Sequence, residues 1–242
     1  MKVIKLDAID STNEFLKGLS NKQELENFTV VTAETQTKGK GQMGAVWASE
    51  PSKNLIMSIL VKDFLRDICQ IFNLNIVVSL AVLEVLESSK IPDLSIKWPN
   101  DIMSYNKKIG GILIENTIKS DGTILSIVGL GLNVNQTNFE NLVKASSLAV
   151  ISGKNFDKET LLFAIGRAIK RNTALGQQHS LILWDKYTNN LYKKGLPTAF
   201  SDLNNNNFMG IIQGVSAVGK LQVLLEDDSI SEFGIKEIQM LY

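Results

Sequence analysis

Two lysines set an electrostatic problem in this chain. Lys97 opens the segment Lys97-Trp98-Pro99-Asn100-Asp101, and Lys108 opens Lys108-Ile109-Gly110-Gly111-Ile112-Leu113. The short connection from Asp101 to Lys107 can bring the two ammonium groups near each other. At ~4 Å two like charges repel by ~1 kcal/mol in water and by more beside a protein surface. An anion between them turns that repulsion into attraction. A carboxylate and a phosphate being joined is one such object. Gly110-Gly111 removes side chains where a ligand would need space. Asn100 and Asp101 can orient a ribose, a phosphate or a metal-bound water. The same residues also fit solvated strand ends, with Pro99-Asn100-Asp101 as a turn.

A second cluster is Gly39-Lys40-Gly41-Gln42-Met43-Gly44, which fits G-x-G-x-x-G by letter. A dinucleotide site needs a helix directly after the glycines, to hold the pyrophosphate at its N-terminus. Ala45-Val46-Trp47-Ala48-Ser49-Glu50-Pro51 follows instead and does not open a helix. A phosphate loop of the G-x-x-x-x-G-K-[ST] type is absent from the sequence. The loop keeps an anion-binding logic, because glycine backbone N–H groups approach an anion closely. Lys40 can add charge there, Gln36 and Gln42 add neutral donors and acceptors, and Trp47 adds a flat face for stacking. A solvated loop with Trp47 plugged into the core is the competing reading. Further on, Gly129-Leu130-Gly131-Leu132-Asn133 ends an apolar run. It reads as a close approach by some other group or as a β-bulge.

The elements that must carry these residues read as follows. Val3 to Leu6 is a short strand. Ser11 caps a helix to about Leu19, with Glu14 completing a capping box. Phe28 to Ala33 and Leu55 to Val61 are strands, and the glycine- and polar-rich stretch from Glu34 to Trp47 is a long loop. Ile68 to Glu87 is a helix with one apolar face. Ser95 to Trp98 is a strand whose ladder Pro99 ends. Ile109 to Ile118 and Thr123 to Val134 form a hairpin through Lys119-Ser120-Asp121-Gly122. Asp157 caps a helix to about Leu175, and Leu181 to Tyr192 forms another. Beyond about Gly195, glycines punctuate short strands at Gly210–Val215, Lys220–Glu226 and Ser229–Gly234, a spacing that suggests a small barrel. The fold class is α+β: a mixed or antiparallel sheet with packed helices over 1–192, plus a small β module over 193–242.

Composition narrows the function. The 242 residues, 44% of them apolar, support a large core. Lys+Arg 25 balances Asp+Glu 25, which argues against a nucleic-acid partner. Cys69 is the only cysteine. It forms no internal disulfide, fits a reducing compartment and is expected to be a buried inert thiol. His179 is the only histidine, so no histidine triad or histidine metal site is expected. The start lacks the pattern of a signal peptide, and no run approaches ~18 apolar residues. A cytoplasmic protein without a membrane partner is expected, with the oligomeric state, a homodimer included, left open.

Five segments in order resemble those of the biotin protein ligases. They are Asp10-Ser11-Thr12-Asn13; Gln36 with Gly39 to Trp47; Lys97 to Asp101; Lys108 to Leu113; and Gly129 to Asn133. The resemblance covers about Ile9 to Gln136 closely and the C-terminal module, an SH3-like barrel, more loosely. It implies a ligase that makes biotinyl-5'-AMP from biotin and ATP. Biotin would then pass to a lysine of a biotin carboxyl carrier protein. It implies biotin contacts at Ser11, Thr12, Asn13, Gln36, Lys40, Gly41, Gln42, Lys108 and Gly110. It implies adenylate contacts at Gly39, Lys40, Gln42, Trp47, Lys97, Asn100, Asp101, Gly111 and Asn133. Lys108 and Lys40 would be catalytic, and Mg²⁺ would be held mainly through ATP phosphates rather than by protein ligands. Family loops often read Gly-Arg-Gly-Arg-x-Gly-Arg; here Lys40, Gln42 and Ala45 stand in place of those arginines. Some members carry an N-terminal DNA-binding domain, and the expectation here is a form without one. A lipoate or octanoate ligase or transferase of the related fold is the alternative.

Overall fold

A computed structural model describes residues 1–67, 70–140 and 142–241. In chain order its elements are β1 (Val3–Ile9), α1 (Thr12–Lys22), β2 (Val30–Gln36), β3 (Leu55–Lys62), α2 (Ile71–Ser88), β4 (Leu94–Lys97), β5 (Asp101–Ser104), β6 (Lys107–Ile118) and β7 (Ile124–Leu132). Then come α3 (Leu148–Ser152), α4 (Lys158–Gln178), α5 (Ser180–Asn189), β8 (Pro197–Asp202), β9 (Asn207–Val215), β10 (Leu221–Leu224), β11 (Ile230–Phe233) and β12 (Ile238–Leu241).

The larger sheet has the order β1-β2-β3-β7-β6-β5-β4. β1 and β2 run parallel, and the other neighbours are antiparallel. Its central strands are apolar on both faces, as burial between two helical layers requires. The period of two then sorts neighbours: Val30, Ile59 and Val128 join the main core with α2 and α4, while Val31, Leu60 and Ile127 join a smaller cluster with Leu16 of α1. Helix α2 is long and apolar enough to cross a membrane by length and composition, and 61% of it is buried inside the molecule. It is the helix at the centre of the main core.

Most expected elements are present, with shifted ends. Ile68 and Cys69, the expected helix start and inert thiol, lie outside the described residues, and α2 is described from Ile71. Asp157 caps α4 by accepting from the Thr160 N–H. The Lys119–Gly122 turn closes with Gly122 N–H donating to Lys119 O at 3.0 Å. The Ser11–Glu14 capping box is only half made. Ser11 Oγ accepts from Glu14 N–H, but the Glu14 carboxylate accepts from Lys40 Nζ at 2.5 Å.

Three short strands, β5, β8 and β12, were hidden in the sequence. The connection from Asp101 to Lys107 contains β5, paired with β4 on one side and β6 on the other. Four residues behind Pro99 are too few to show alternation. β12 closes the chain's second sheet, order β11-β10-β9-β8-β12. Among the described residues its end strands β11 and β12 do not pair, so the small β module is an open sheet rather than a closed barrel. Trp98 ties it to the larger sheet: its Nε1–H donates to Gly219 O at 2.9 Å. Phe72 of α2 packs at Gly219, where an added Cβ would sit 2.6 Å from its ring.

Candidate active site

Both sheets contribute to one cavity of about 460 Å³, within the range of small-molecule sites. Its polar end is the first turn of α1. Ser11, Thr12 and Asn13 are polar yet almost fully buried, so their bonding groups must find partners. Gln36 Oε1, at the end of β2, accepts from Thr12 N–H at 2.7 Å and from Thr12 Oγ1 at 3.0 Å. That orientation leaves its Nε2 as the donor for anything else. Ser58 on β3 lies 2.6 Å from Asn13 Oδ1 and 2.8 Å from Thr12 Oγ1. Asn13 Nδ2 donates to Glu115 Oε2 at 2.8 Å. Ser58 was not found from sequence; its signal was a lone hydroxyl inside the apolar run Leu55 to Val61.

The floor is bare backbone. Gly131 pairs with Gly111 across β7 and β6, and Gly129 pairs with Leu113. An added Cβ at Gly131 would lie 2.3 Å from the Trp47 ring, and one at Gly129 would lie 2.4 Å from Asn13 Oδ1. The close-approach reading of this segment therefore holds over the β-bulge reading. Trp47 is thus laid on the sheet, and among the described residues its buried Nε1–H has no hydrogen-bond partner.

The lysine cluster forms at the far end. Lys108 Nζ lies 2.6 Å from Asp101 Oδ1 and 5.8 Å from the Trp47 ring centroid. Burial holds the Lys97 ammonium below the ordinary lysine range; Asp101 opposes that shift and Lys108 adds to it. So Lys97 and Lys108 do converge, with the Asp101 carboxylate as their shared counter-charge. Asn100 also faces the cavity, but its Nδ2 is spent on Ile112 O at 2.6 Å.

The glycine loop is a hairpin, not a helix start. Trp47 N–H donates to Gly39 O at 2.9 Å and Gly41 N–H to Ala45 O at 2.7 Å, around a single 3-10 turn at Gln42–Gly44. Lys40, Gly41, Gln42 and Trp47 line the cavity. Glu14 raises the pKa of the exposed Lys40 through their hydrogen bond, so this lysine is already partnered rather than free.

Three expected contacts are absent from the cavity lining. Gly39 is packed against Trp47 O, 2.3 Å from where its Cβ would be. Gly110 is packed against Gly131 O and Leu132, each 3.1 Å away. Asn133 donates through Nδ2 to Ser146 O at 3.0 Å and so braces the chain after β7. The opposite omission is the small sheet, whose Phe200, Leu221, Ile238 and Met240 line the cavity. In sequence they are ordinary alternating core residues.

The profile of the Biotin/lipoate A/B protein ligase family matches residues 6–135. A "Bifunctional ligase/repressor BirA" of Bacillus spizizenii is 30% identical over 98% of this chain and 71% of its own length. Its counterpart in Escherichia coli is 29% identical over 94% of this chain and 70% of its own. The structure "Biotin protein ligase from Aquifex aeolicus in complex with biotin and ATP" superposes with a TM-score of 0.81 at 28% identity, covering 99% of this chain and 98% of that one.

Proposed function

The chain belongs to the Biotin/lipoate A/B protein ligase family, and we propose from this that it is a biotin protein ligase. It joins the biotin carboxylate to the α-phosphate of ATP, with pyrophosphate leaving, and then transfers biotin from AMP to a lysine of a biotin carboxyl carrier protein. The observation that carries this reading is one cavity with a hydrogen-bonding end at Thr12, Asn13 and Gln36 and a cationic end at Lys97 and Lys108. A ureido ring with an acyl tail ending in a carboxylate matches that polarity. A lipoyl or octanoyl group would leave the polar end unsatisfied, and buried polar groups are costly to leave unpaired.

Both reactants of the first step are anions, so positioning and charge neutralisation dominate. Lys108 bridges the biotin carboxylate and the α-phosphate, and exchanges its Asp101 partner for them. Lys97 meets the remaining phosphates. Gln36 Nε2 and the first turn of α1 hold the ureido group. The unpaired Trp47 Nε1–H gains an acceptor from the adenylate. Gly41 and Gly111 leave room for it, Gln42 supplies hydrogen bonds, and Asn100 and Asp101 frame the nucleotide. Among the described residues no group of three His, Cys, Asp or Glu side chains is placed to hold a metal. Mg²⁺ would therefore keep a shell of phosphate and water. In the second step a neutral carrier lysine attacks the mixed anhydride; the Lys108 ammonium stabilises the oxyanion, and AMP leaves. Labour divides at about residue 192: residues 1–192 supply most of the contacts to biotin and ATP, and 193–242 complete the wall. The work is done in the cytoplasm, where ATP is supplied.

The test is ATP–pyrophosphate exchange with biotin and lipoate side by side. Exchange is expected with biotin, and Lys108→Ala is expected to lose about 10²–10³ of it while keeping its fold by circular dichroism. Lipoate-only exchange, or near-normal exchange in Lys108→Ala, would refute the assignment.

A further inference from the structure

Four lysines face the cavity: Lys40, Lys97, Lys108 and Lys236. Three of them have an acidic neighbour. Lys40 is on Glu14, Lys108 is on Asp101, and Lys97 feels the same Asp101. Lys236 differs. It sits in the turn before β12, held in a left-handed backbone conformation at φ 67°. The adjacent carboxylate of Glu237 is occupied by Gly234 N–H at 2.6 Å. Lys236 Nζ instead donates to a backbone carbonyl, Met43 O, at 2.8 Å. Met43 is the tip of the glycine hairpin and is itself left-handed at φ 53°. Between Gly39 and Trp47 the only cation is Lys40, which Glu14 already partners.

We propose that Lys236 is a nucleotide-binding residue: a cation supplied by the small sheet, tied through Met43 to the glycine hairpin, that meets the phosphates of ATP. An ammonium group has three N–H donors, and one of them is used on Met43. The other two remain for an anionic acceptor at the hairpin's rim. Bridging the hairpin and the phosphates would fix both at once, and because Lys236 is exposed the free protein carries no standing cost of burying its charge. The proposal rests on the ligase reading for the identity of ATP. It does not rest on it for the cation itself.

The experiment compares Lys236→Met and Lys236→Arg with the wild-type chain, and uses Lys194→Met as a control for loss of a distant surface charge. In Lys236→Met the KM for ATP is expected to rise about ten-fold, with the KM for biotin and kcat changed by less than about two-fold; Lys236→Arg should recover most of the loss. An ATP KM equal to that of Lys194→Met, or an equal rise in both substrates' KM values, would overturn the proposal. Calorimetric titration with a non-hydrolysable ATP analogue, with and without biotin, separates the two readings. Wild-type binding of the analogue that weakens in Lys236→Met supports Lys236 even if biotin-dependent exchange is absent. That absence would sink the ligase assignment alone.

Discussion

Lys97 shows at the residue scale how burying a cation weakens the fold that holds it. Burial disfavours its charged form, so its pKa falls below the free-lysine value of 10.5. The unfolded chain therefore binds this proton more tightly than the folded one. The resulting cost is full at neutral pH, shrinks as pH rises through the depressed folded value, and vanishes above 10.5. Lys97→Met is expected to unfold at higher urea concentration than wild type at pH 7, by a margin that narrows toward pH 10. Its ATP affinity should fall about ten-fold. A variant less stable than wild type at pH 7 would show that the Asp101 contact outweighs burial. At this scale the sequence was informative where chemistry is unusual. Lysines, paired amides and Gln36 stood out because a plain core has no use for them. Asn133 shows the limit of that signal: it lies outside the cavity lining and its Nδ2 braces the chain after β7, a job that has the same letter as binding.

The elements matter through their close approaches. β7 can lie against Trp47 and Asn13 only because Gly129 and Gly131 carry no side chains. Gly129→Ala would push the Asn13 carboxamide out of its Ser58 and Glu115 hydrogen bonds. Overpacking of this kind costs ~1–3 kcal/mol. Biotin affinity should fall at least about ten-fold by calorimetry, with ATP-analogue affinity retained. An unchanged biotin affinity would place the ureido pocket elsewhere. Long, periodic elements such as α2, α4 and the β6–β7 hairpin were legible in advance. β5, β8 and β12 were not, because four to six residues at a sheet edge or beside a proline carry too little pattern. Ser58 was missed because its role arises only when β3 passes under α1.

At the scale of the whole molecule, one bond reports on how the two sheets are joined. The Trp98 indole N–H and Gly219 O meet in a buried contact beside Phe72, whose ring also packs on Trp184 and Tyr187. Trp98→Phe keeps the apolar surface and strands the carbonyl, which costs ~1–3 kcal/mol. A lower urea midpoint with an unchanged slope is expected, and an unchanged midpoint would refute this. The small sheet's place in the cavity wall was not legible, because alternation tells which face is buried but not against what. The bare strip across β6 and β7 bears on inheritance as well as on packing. Every single-base change that turns a glycine codon into that of another amino acid adds a Cβ. At positions 129 and 131 that atom meets Asn13 or Trp47. The gene therefore has no one-step missense neighbour at these codons that leaves the floor bare.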